Sequence, residues 1–546
     1  MSNAAIYSLE LPPNEPVLGY APGSSERAAL RAALEEMARS PVEVPLWIGG
    51  EEVRTGKVVE LTAPHDHGLV LARVHQGGAA EARAAIDAAL RAQASWAALP
   101  WHQRASVFLR AAELLAGPWR MKLNAATMLG QSKNPFQAEI DSACELIDFW
   151  RINAHFACEL YQDQPPHSPT GMWNRTEMRA LEGFVFAVTP FNFTSIAGNL
   201  PTAPAFLGNV AVWKPAASAV LSAHVIVQIL RAAGLPPGVV NMVMGNTAEI
   251  GATALGHPGL AGVHFTGSTP VFQGMFRTIG ENIARYKGYP RVVGETGGKD
   301  FVFAHPSAHL PALVTALARG AFEYQGQKCS AASRAYIPAS LWPEVEKGLR
   351  RDLAAMKMGS PLEFGNFINA VIDKKAYQSI KAYVDHCRTG QDAEIVIGGE
   401  CDDRQGWFIQ PTVVRAKKPD AKTMVEEIFG PVLTVWVYPD AEYEETLALC
   451  DRTSPYALTG AVFATDRHAI DTAERLLQHA AGNFYVNDKP TGAVVGQQPF
   501  GGGRASGTND KAGSWLNLIR WASQRTIKET FNPPVDWRYP FLAPGA

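Results

Sequence analysis

Gly262-Val-His-Phe-Thr-Gly-Ser268 is a short apolar run followed by a turn and by residues that favour the start of a helix. It predicts a strand over Gly262–Thr266 and a helix from about Ser268 to Ala284. The preceding segments repeat this order, with a strand over Val210–Lys214 and a helix over Ser218–Ala233. Strands that alternate with helices of this length form parallel sheets with right-handed crossovers. We therefore predict an α/β fold.

The same alternation extends to both sides of this unit. Phe184–Pro190 and Val239–Val243 are predicted strands, and Gly298–Asp488 is predicted to be a second α/β region. Helical signals dominate Ala79–Tyr161, and Met172–Leu181 is expected to form a strand or hairpin. Sheets of this kind bind ligands beyond the carboxyl ends of their strands, so functional residues are expected there.

One segment without charged residues, Gly183–Trp213, is long enough to span a bilayer. It contains Pro190, Pro201 and Pro204, which interrupt helices, and asparagines that would need polar partners in lipid. A buried strand, a polar loop and a second buried strand are therefore predicted here in place of a membrane span.

The overall composition excludes several classes of protein. The chain has 546 residues, with 49 Lys and Arg against 52 Asp and Glu, a net charge of −3. This balance gives no sign of binding to nucleic acid or to an anionic membrane. No basic residue precedes Arg27, which argues against a signal or transit peptide and favours a cytoplasmic location.

The six cysteines include no CxxC pair and indicate a reducing compartment, and no metal site is expected. Cys144 falls on an apolar helix face with Ile140 and Ile147 and is expected to be structural. Cys329 is different, because Gly326, Ser330 and other small neighbours leave room around its sulfur. The preceding Lys328 is a cation that would favour the thiolate. The alternative is a buried structural cysteine.

Glu295 lies between an apolar strand and a glycine-rich turn, in Gly294-Glu-Thr-Gly-Gly-Lys299. A carboxylate in this position projects into a site more readily than it forms a surface ion pair. With a raised pKa it can take a proton from water or from a thiol. The alternative is an exposed glutamate in a turn.

Asn192 follows a predicted strand in Thr189-Pro-Phe-Asn-Phe193. A side-chain amide there can donate a hydrogen bond to a developing oxyanion, with a backbone N–H as the second donor. The alternative is an Asx-turn.

Several residues suit a dinucleotide. The backbone N–H groups after Gly267 and the Ser268 hydroxyl suit a pyrophosphate. Lys214, at a strand end, can reach a ribose hydroxyl, although it can equally extend its head group into solvent. Glu427 and Phe429 can hold a second ribose and a nicotinamide face.

These motifs occur in the order seen in aldehyde dehydrogenases, and the chain resembles that family over about residues 45–530. The motifs are Thr189-Pro-Phe-Asn-Phe193, Phe265-Thr-Gly-Ser268, Glu295-Thr-Gly-Gly-Lys299, Gly326-Gln-Lys-Cys329 and Glu427-Ile-Phe-Gly-Pro431. The segments Phe322–Ala331, Thr491–Gly502 and Arg504–Asn509 are most similar to the branch that acts on 1-pyrroline-5-carboxylate.

The resemblance implies a Rossmann-type cofactor domain, an α/β catalytic domain and a small β oligomerisation flap. The NAD-binding domain would comprise 1–159 and 182–296, and the catalytic domain 297–490. The flap would combine 160–181 with 524–546, leaving 491–523 as a substrate-anchor loop and a return to the cofactor domain. A homodimer or larger homo-oligomer is implied.

The resemblance also implies roles for individual residues. Cys329 would be the nucleophile, Glu295 the general base and Asn192 the oxyanion donor. The implied cofactor contacts are Lys214, Gly267, Ser268, Glu427 and Phe429. The backbone of Gly492 and Ala493 would hold the substrate carboxylate with help from Ser330, and Phe193 and Phe500 would enclose its aliphatic part.

The implied reaction is the oxidation of L-glutamate γ-semialdehyde to L-glutamate with NAD, as the last oxidation of proline catabolism. Phe272 and Ala217 stand where many relatives have glycine and an acidic residue. The missing acid leaves NADP as an alternative cofactor. The other hypotheses are a CoA-acylating semialdehyde dehydrogenase, a catalytically inactive binding protein of the same fold and a Cys–His hydrolase, for which no histidine partner is evident.

Overall fold

The computed structural model describes residues 7–542 and 545, and contains one large sheet from each half of the chain. The predicted segments 1–159 and 524–546 also include residues 1–6, 543, 544 and 546, which lie outside the described part. The predicted α/β class is confirmed by the order of helices and strands.

The first sheet has seven strands, of which five are parallel. Because the carboxyl ends of parallel strands meet at one edge, this sheet brings Asn192, Ser268 and Glu295 to the same edge. The two antiparallel strands lie at the far side. In spatial order the strands are Arg291–Glu295, Leu260–Thr266, Phe184–Val188, Val210–Lys214, Val240–Met242, Leu46–Ile48 and Glu51–Val53.

Helices from the first half of the chain share one apolar core with this sheet, and the buried Trp96, Trp150 and Trp213 belong to it. The helical character predicted for Ala79–Tyr161 is confirmed. The helices are Ser25–Ala38, Ala79–Ala98, Trp101–Ala116, Arg120–Gln131, Pro135–Ala138, Glu145–Gln162, Thr194–Phe206, Val220–Ala232, Thr247–Leu255 and Thr269–Glu281.

The polar loop predicted within the uncharged segment is wrong, because Thr194–Phe206 is a helix that contains Pro201 and Pro204. A proline lacks an N–H group, so Pro204 leaves the carbonyl of Leu200 without its helical donor. His264 Nδ1 lies 2.9 Å from that oxygen and takes the place of the donor. A helix buried nearly all round also lacks the polar face by which sequence patterns are recognised. Within residues 7–542 and 545, no helix is both long and apolar enough to cross a membrane.

The apolar face predicted for Cys144 is also wrong. A π-helical segment, Glu139–Cys144, shifts the helical register just before Glu145–Gln162. The Cys144 sulfur lies 3.3 Å from the Arg120 guanidinium and 3.4 Å from the Glu139 carboxylate, so it faces a buried ion pair.

The second sheet confirms the predicted α/β region, with seven strands of which only the first pair is antiparallel. In spatial order the strands are Ala393–Ile397, Thr412–Ala416, Val432–Tyr438, Ala332–Pro338, Asp300–Ala304, Thr459–Phe463 and Asn483–Val486. Its helices are Leu310–Phe322, Trp342–Ala355, Lys374–Arg388, Lys422–Val425, Tyr443–Thr453 and Arg467–Leu476.

A separate two-stranded sheet joins Met172–Ala180 to Ala522–Thr530 in antiparallel register. The strand predicted near Met172 therefore pairs with the tail of the chain. A three-stranded sheet comprises Val42–Val44, Val58–Ala63 and Asp66–His75. The other paired strands are Cys401–Asp402 with Phe408–Ile409 and Tyr456–Ala457 with Gly503–Arg504, and a further α-helix is Trp515–Leu518.

Candidate active site

A cavity of about 1030 Å³ brings residues from both halves of the chain together. Glu295 reaches it from the first sheet and Cys329 from the second half. The five residues expected to contact the substrate line the same cavity: Phe193, Ser330, Gly492, Ala493 and Phe500. The five implied cofactor contacts do not line it. They follow strands of the first sheet or, for Glu427 and Phe429, lie before Val432–Tyr438.

The loop before Cys329 is a tight turn in which Tyr324, Gln325 and Gly326 all have positive φ angles. Glycine is required at position 326, because a Cβ there would lie 2.2 Å from the carbonyl oxygen of Gly430. The Gln325 side chain donates hydrogen bonds to the carbonyls of Ser132 and Ala370, at 3.1 and 2.9 Å. These contacts fix a backbone conformation that costs free energy and present Cys329 to the cavity.

Cys329 is buried, and burial raises the pKa of its thiol well above the usual range. The nearby carboxyl groups of Asp300, Glu295 and Glu427 raise this pKa further. A thiol in these surroundings holds its proton until a base removes it or a positive charge arrives.

Lys328 does not play the part expected for it. Its ammonium group lies 3.5 Å from the Glu323 carboxylate and 4.0 Å from that of Asp141. Two carboxylates therefore compensate the charge of Lys328. The prediction that Lys328 favours the Cys329 thiolate is wrong, because its ammonium group is directed at these acids.

Glu295 ends a strand and has its carboxyl group beside a chain segment from the C-terminal part. One carboxyl oxygen accepts a hydrogen bond of 3.2 Å from the Gly502 N–H. Burial raises the pKa of Glu295 well above its usual range, and Asp510 adds to the rise, whereas the Gly502 N–H and Lys511 oppose it. A glutamate with a raised pKa in a cavity wall is suited to proton transfer.

Asn192 is buried behind the cavity wall, and its amide nitrogen donates a hydrogen bond of 3.1 Å to the Gln327 carbonyl. An amide nitrogen carries two hydrogens, so one remains for a second acceptor. The Asx-turn alternative finds no support here, because this partner lies 135 residues away in the chain.

Lys214, Gly267 and Ser268 lie at or just after the carboxyl ends of strands in the first sheet. Ser268 is the N-cap of Thr269–Glu281, yet its hydroxyl makes no capping bond to that helix. A Cβ at Gly267 would lie 2.7 Å from the Phe265 ring, so the turn needs glycine. Lys214 ends the neighbouring strand, and burial lowers its pKa.

Phe272 fills the space that a glycine would leave open. Its ring stacks on Phe265 with centroids 5.2 Å apart. A Cβ added to Gly294 would lie 2.3 Å from the Phe272 ring, so this side chain packs directly behind the residue that precedes Glu295.

Glu427 points at the glycine turn after Glu295, where its carboxylate accepts a hydrogen bond of 3.0 Å from the Gly298 N–H. Burial raises the pKa of Glu427 to about 7. Phe429 has a φ of 56° and meets Phe191 edge-to-face, with ring centroids 5.8 Å apart. Both side chains therefore lie at the boundary between the two halves of the chain.

The segment after Thr491 offers unused backbone donors. Neither the Gly492 N–H nor the Ala493 N–H donates to another residue in the part of the chain that the structure describes. Gly492 has a φ of 97°, which favours glycine. The Ser330 and Thr491 hydroxyls lie 2.8 Å apart beside them. Two adjacent free N–H groups and a hydroxyl suit an anion.

Two lysines at or next to the cavity were not predicted from the sequence: Lys489 lines it, and Lys133 lies behind its wall. Lys489 Nζ donates to the Thr491 carbonyl at 2.8 Å. A cation that lies just before the segment Thr491–Gly502 therefore stabilises the start of that segment. The fully buried Lys133 lies 2.8 Å from Asp141 and 4.8 Å from the centre of the Phe193 ring. A longer window around Thr491 would have included Lys489, whereas no pattern near Lys133 pointed to the site.

The chain is similar to known proteins along nearly its whole length. The model of the aldehyde dehydrogenase family matches residues 47–524. A delta-1-pyrroline-5-carboxylate dehydrogenase of Dictyostelium discoideum is 50% identical over 544 residues, covering 99% of this chain and 98% of that protein. The Bos taurus protein of the same name is 49% identical over 530 residues, covering 97% and 94%.

A solved structure gives the same result. The delta-pyrroline-5-carboxylate dehydrogenase of Mycobacterium tuberculosis, bound with NAD, is 52% identical and superposes with a TM-score of 0.95. The match covers 99% of this chain and 100% of that one. On its sequence, fold and cavity, the chain belongs to the aldehyde dehydrogenase family.

Proposed function

We propose that the chain oxidises L-glutamate γ-semialdehyde, the open form of 1-pyrroline-5-carboxylate, to L-glutamate with reduction of NAD. This reaction is the last oxidation of proline catabolism. The observation that carries the proposal is one cavity that contains Cys329, Glu295 and the free N–H groups of Gly492 and Ala493. An aldehyde-reactive thiol and an anion site in one cavity match a substrate with both groups.

The residues at the edge of the first sheet fit NAD. The uncapped Ser268 hydroxyl and the start of its helix would hold the pyrophosphate, and Lys214 and Glu427 would bind the two riboses. When bound, NAD accepts the hydride that leaves the substrate carbon. Ala217 supplies no carboxylate against a 2′-phosphate, so NADP remains the alternative.

In the first half-reaction, the Cys329 sulfur attacks the aldehyde carbon and forms a thiohemiacetal. The thiol must lose its proton first, because burial and nearby carboxyl groups raise its pKa. The ionised Glu295, in the same cavity, is suited to take it. The Asn192 amide and the Cys329 N–H would stabilise the resulting oxyanion. Loss of hydride converts the thiohemiacetal into a thioester.

Before the second half-reaction, Glu295 would release the thiol proton to solvent. Glu295 would then take a proton from water, and the hydroxide would attack the thioester carbon. The carbon–sulfur bond then breaks, glutamate leaves, and the expelled Cys329 thiolate regains a proton from Glu295. The raised pKa of Glu295 places it closer to neutral pH than an ordinary glutamate, as a general base requires.

The substrate carboxylate would accept hydrogen bonds from the backbone of Gly492 and Ala493 and from the Ser330 hydroxyl. Lys489 would reinforce them electrostatically, since it already supports the Thr491 carbonyl. Phe193 and Phe500 line the intervening part of the cavity and would enclose the aliphatic chain.

We also propose that the sheet formed by Met172–Ala180 and Ala522–Thr530, within the segments 160–181 and 524–546, is an oligomerisation flap. Its support is the exposure of Trp173 and of aromatic side chains that follow the second strand, such as Trp537. A homodimer or larger homo-oligomer is the expected assembly. A cytoplasmic location stays a prediction, and the relatives from Dictyostelium discoideum and Bos taurus are named mitochondrial.

Product analysis tests this proposal. With pyrroline-carboxylate, NAD and water, we expect one glutamate for each NADH formed. Coenzyme A should not accelerate turnover and should not appear as a glutamyl thioester. Acceleration by coenzyme A would support the CoA-acylating alternative, and absence of NADH formation with every aldehyde would support an inactive protein of the same fold.

A further inference from the structure

The peptide bond between Gly501 and Gly502 connects two charged side chains. Its N–H group, on Gly502, donates to the Glu295 carboxylate at 3.2 Å. Its carbonyl group, on Gly501, accepts a hydrogen bond of 3.2 Å from Lys511 Nζ. The ammonium group and the carboxylate therefore contact opposite ends of one peptide dipole. No direct hydrogen bond between these two side chains occurs among the described residues.

The backbone holds this arrangement in place. Phe500 and Ala512 exchange two backbone hydrogen bonds of 3.0 and 2.8 Å, which sets Lys511 opposite Gly501. Lys511 has a φ of 51°, and its ammonium group also donates to the Gly482 carbonyl at 2.7 Å. The ammonium group is therefore directed inward at two carbonyl groups.

Glycine is needed where the segment approaches the carboxylate. A Cβ at Gly501 would lie 3.0 Å from one Glu295 oxygen, and a Cβ at Gly507 would lie 3.0 Å from the other. The close approach leaves room for the peptide N–H as a donor but not for a side chain.

The other charged groups around Glu295 do not replace Lys511. Asp510 has the wrong sign, and Arg520, which lies 3.4 Å from Asp510, compensates that acid. The Cys329 thiol also lies near Glu295, and the Glu295 charge raises the pKa of this thiol. Lys511 is the cation whose charge lowers the pKa of Glu295.

We propose that Lys511 is a positioning residue for Glu295, and that it orients and polarises the Gly501–Gly502 peptide so that its N–H stabilises the Glu295 carboxylate. A cation at the carbonyl end strengthens the donor at the other end, because hydrogen bonds in a chain polarise one another. The proposal rests on the proposed role of Glu295 as the general base.

The consequence is a defined pH dependence. Hydrolysis requires ionised Glu295, so its rate rises with pH through the pKa of this group. Removing the Lys511 charge leaves burial and Asp510 to raise that pKa further. The acidic limb of hydrolysis should then move to higher pH. A close opposite charge shifts a pKa by about one to three units, and we expect a shift of about one unit here.

The test compares Lys511→Met and Lys511→Arg with the unaltered enzyme, using the pH profile of steady-state turnover and the pre-steady-state NADH burst. Lys511→Met should shift the acidic limb of kcat upward by about one pH unit, with the burst amplitude retained. Lys511→Arg keeps the positive charge, so its acidic limb should lie close to that of the unaltered enzyme. The matched control is Lys375→Met, an exposed helix position, which should leave the profile unchanged.

The outcomes separate this inference from the proposed function. Suppose that the unaltered enzyme shows the acidic limb and that Glu295→Gln loses it. If Lys511→Met then leaves the midpoint of the limb unmoved, the inference about Lys511 is overturned and the proposed role of Glu295 stands. A uniform loss of kcat without a shift overturns it as well, because it indicates a structural role only. If Glu295→Gln keeps the limb, Glu295 is not the base and both statements fail.

Discussion

The side-chain amide of Asn192 donates a hydrogen bond of 3.1 Å to the carbonyl of Gln327, two residues before Cys329. This contact joins the loop after one parallel strand of the first sheet to the tight turn that presents the thiol. The proposed oxyanion donor is thus held close to the proposed nucleophile by a bond that leaves one amide hydrogen of Asn192 for a second acceptor.

Asn192→Ala should therefore slow formation of the thioester. Loss of one oxyanion donor typically lowers the rate about 10²–10³-fold. The rate of the NADH burst in a single turnover measures this step. Asn282→Ala, at the end of a helix outside the cavity, should keep the normal burst. A normal burst in Asn192→Ala would rule out the oxyanion role.

Cys329→Ala should abolish aldehyde oxidation and leave NAD binding intact, because no thiohemiacetal forms without the sulfur. Fluorescence titration with NADH and a turnover assay give the two readouts. Cys401→Ala is the matched control, since Cys401 is a free cysteine that does not line the cavity, and it should retain turnover. Substantial residual turnover by Cys329→Ala would contradict the assignment of the nucleophile.

Glu295→Gln should slow hydrolysis of the thioester more than hydride transfer, since an amide keeps the shape but cannot accept a proton. A general base typically contributes about 10²–10⁴-fold. A burst of NADH should survive at a pH that ionises the thiol, followed by a slow steady state. Loss of the burst with unchanged steady-state turnover would show that Glu295 has another role.

Alkylation of Cys329 should require a higher pH than that of an ordinary cysteine, whose pKa is about 8.5. Burial and nearby carboxyl groups raise the pKa of this thiol, so the thiolate fraction is small at neutral pH in the absence of cofactor. Iodoacetamide inactivation, followed across pH, measures this directly. A midpoint below pH 8 would mean that the thiolate is stabilised in the free protein.

Ala493→Pro should lower kcat/KM for glutamate semialdehyde by at least about tenfold, roughly 1.4 kcal/mol, because proline removes one carboxylate donor. Propanal, which has no carboxylate, should be affected far less. Ala493→Gly keeps the N–H and is the matched control. An equal loss for both aldehydes in Ala493→Pro would indicate general distortion near Phe500, and the carboxylate anchor would have to be withdrawn.

The strands around Ser268 could be predicted because apolar runs alternate with helical segments, and the helix over Thr194–Phe206 could not. Its prolines signal a break, and only the folded chain provides His264 as a substitute donor for the Leu200 carbonyl. Local patterns do not contain partners that come from another strand.

The site shows the same division. Cys329, Glu295 and Asn192 could be proposed from the sequence because each lies in a short, recognisable motif. The direction of Lys328 towards Glu323 was not predictable, since it depends on the turn at Gly326. Lys511 lies just after the segment Arg504–Asn509, but its contact with the Gly501 carbonyl depends on the folded backbone. No local pattern connects Lys133 to Phe193, which lies beside it in the fold.

The most direct test of the central claim is kcat/KM with NAD for L-glutamate γ-semialdehyde, for its analogues one carbon shorter and longer, and for propanal. We predict that glutamate semialdehyde gives the highest value, at least about tenfold above propanal, because only it reaches Cys329 with its carboxylate on the Gly492 and Ala493 N–H groups. Equal values for propanal and glutamate semialdehyde, or a clear preference for an uncharged aldehyde, would contradict the account.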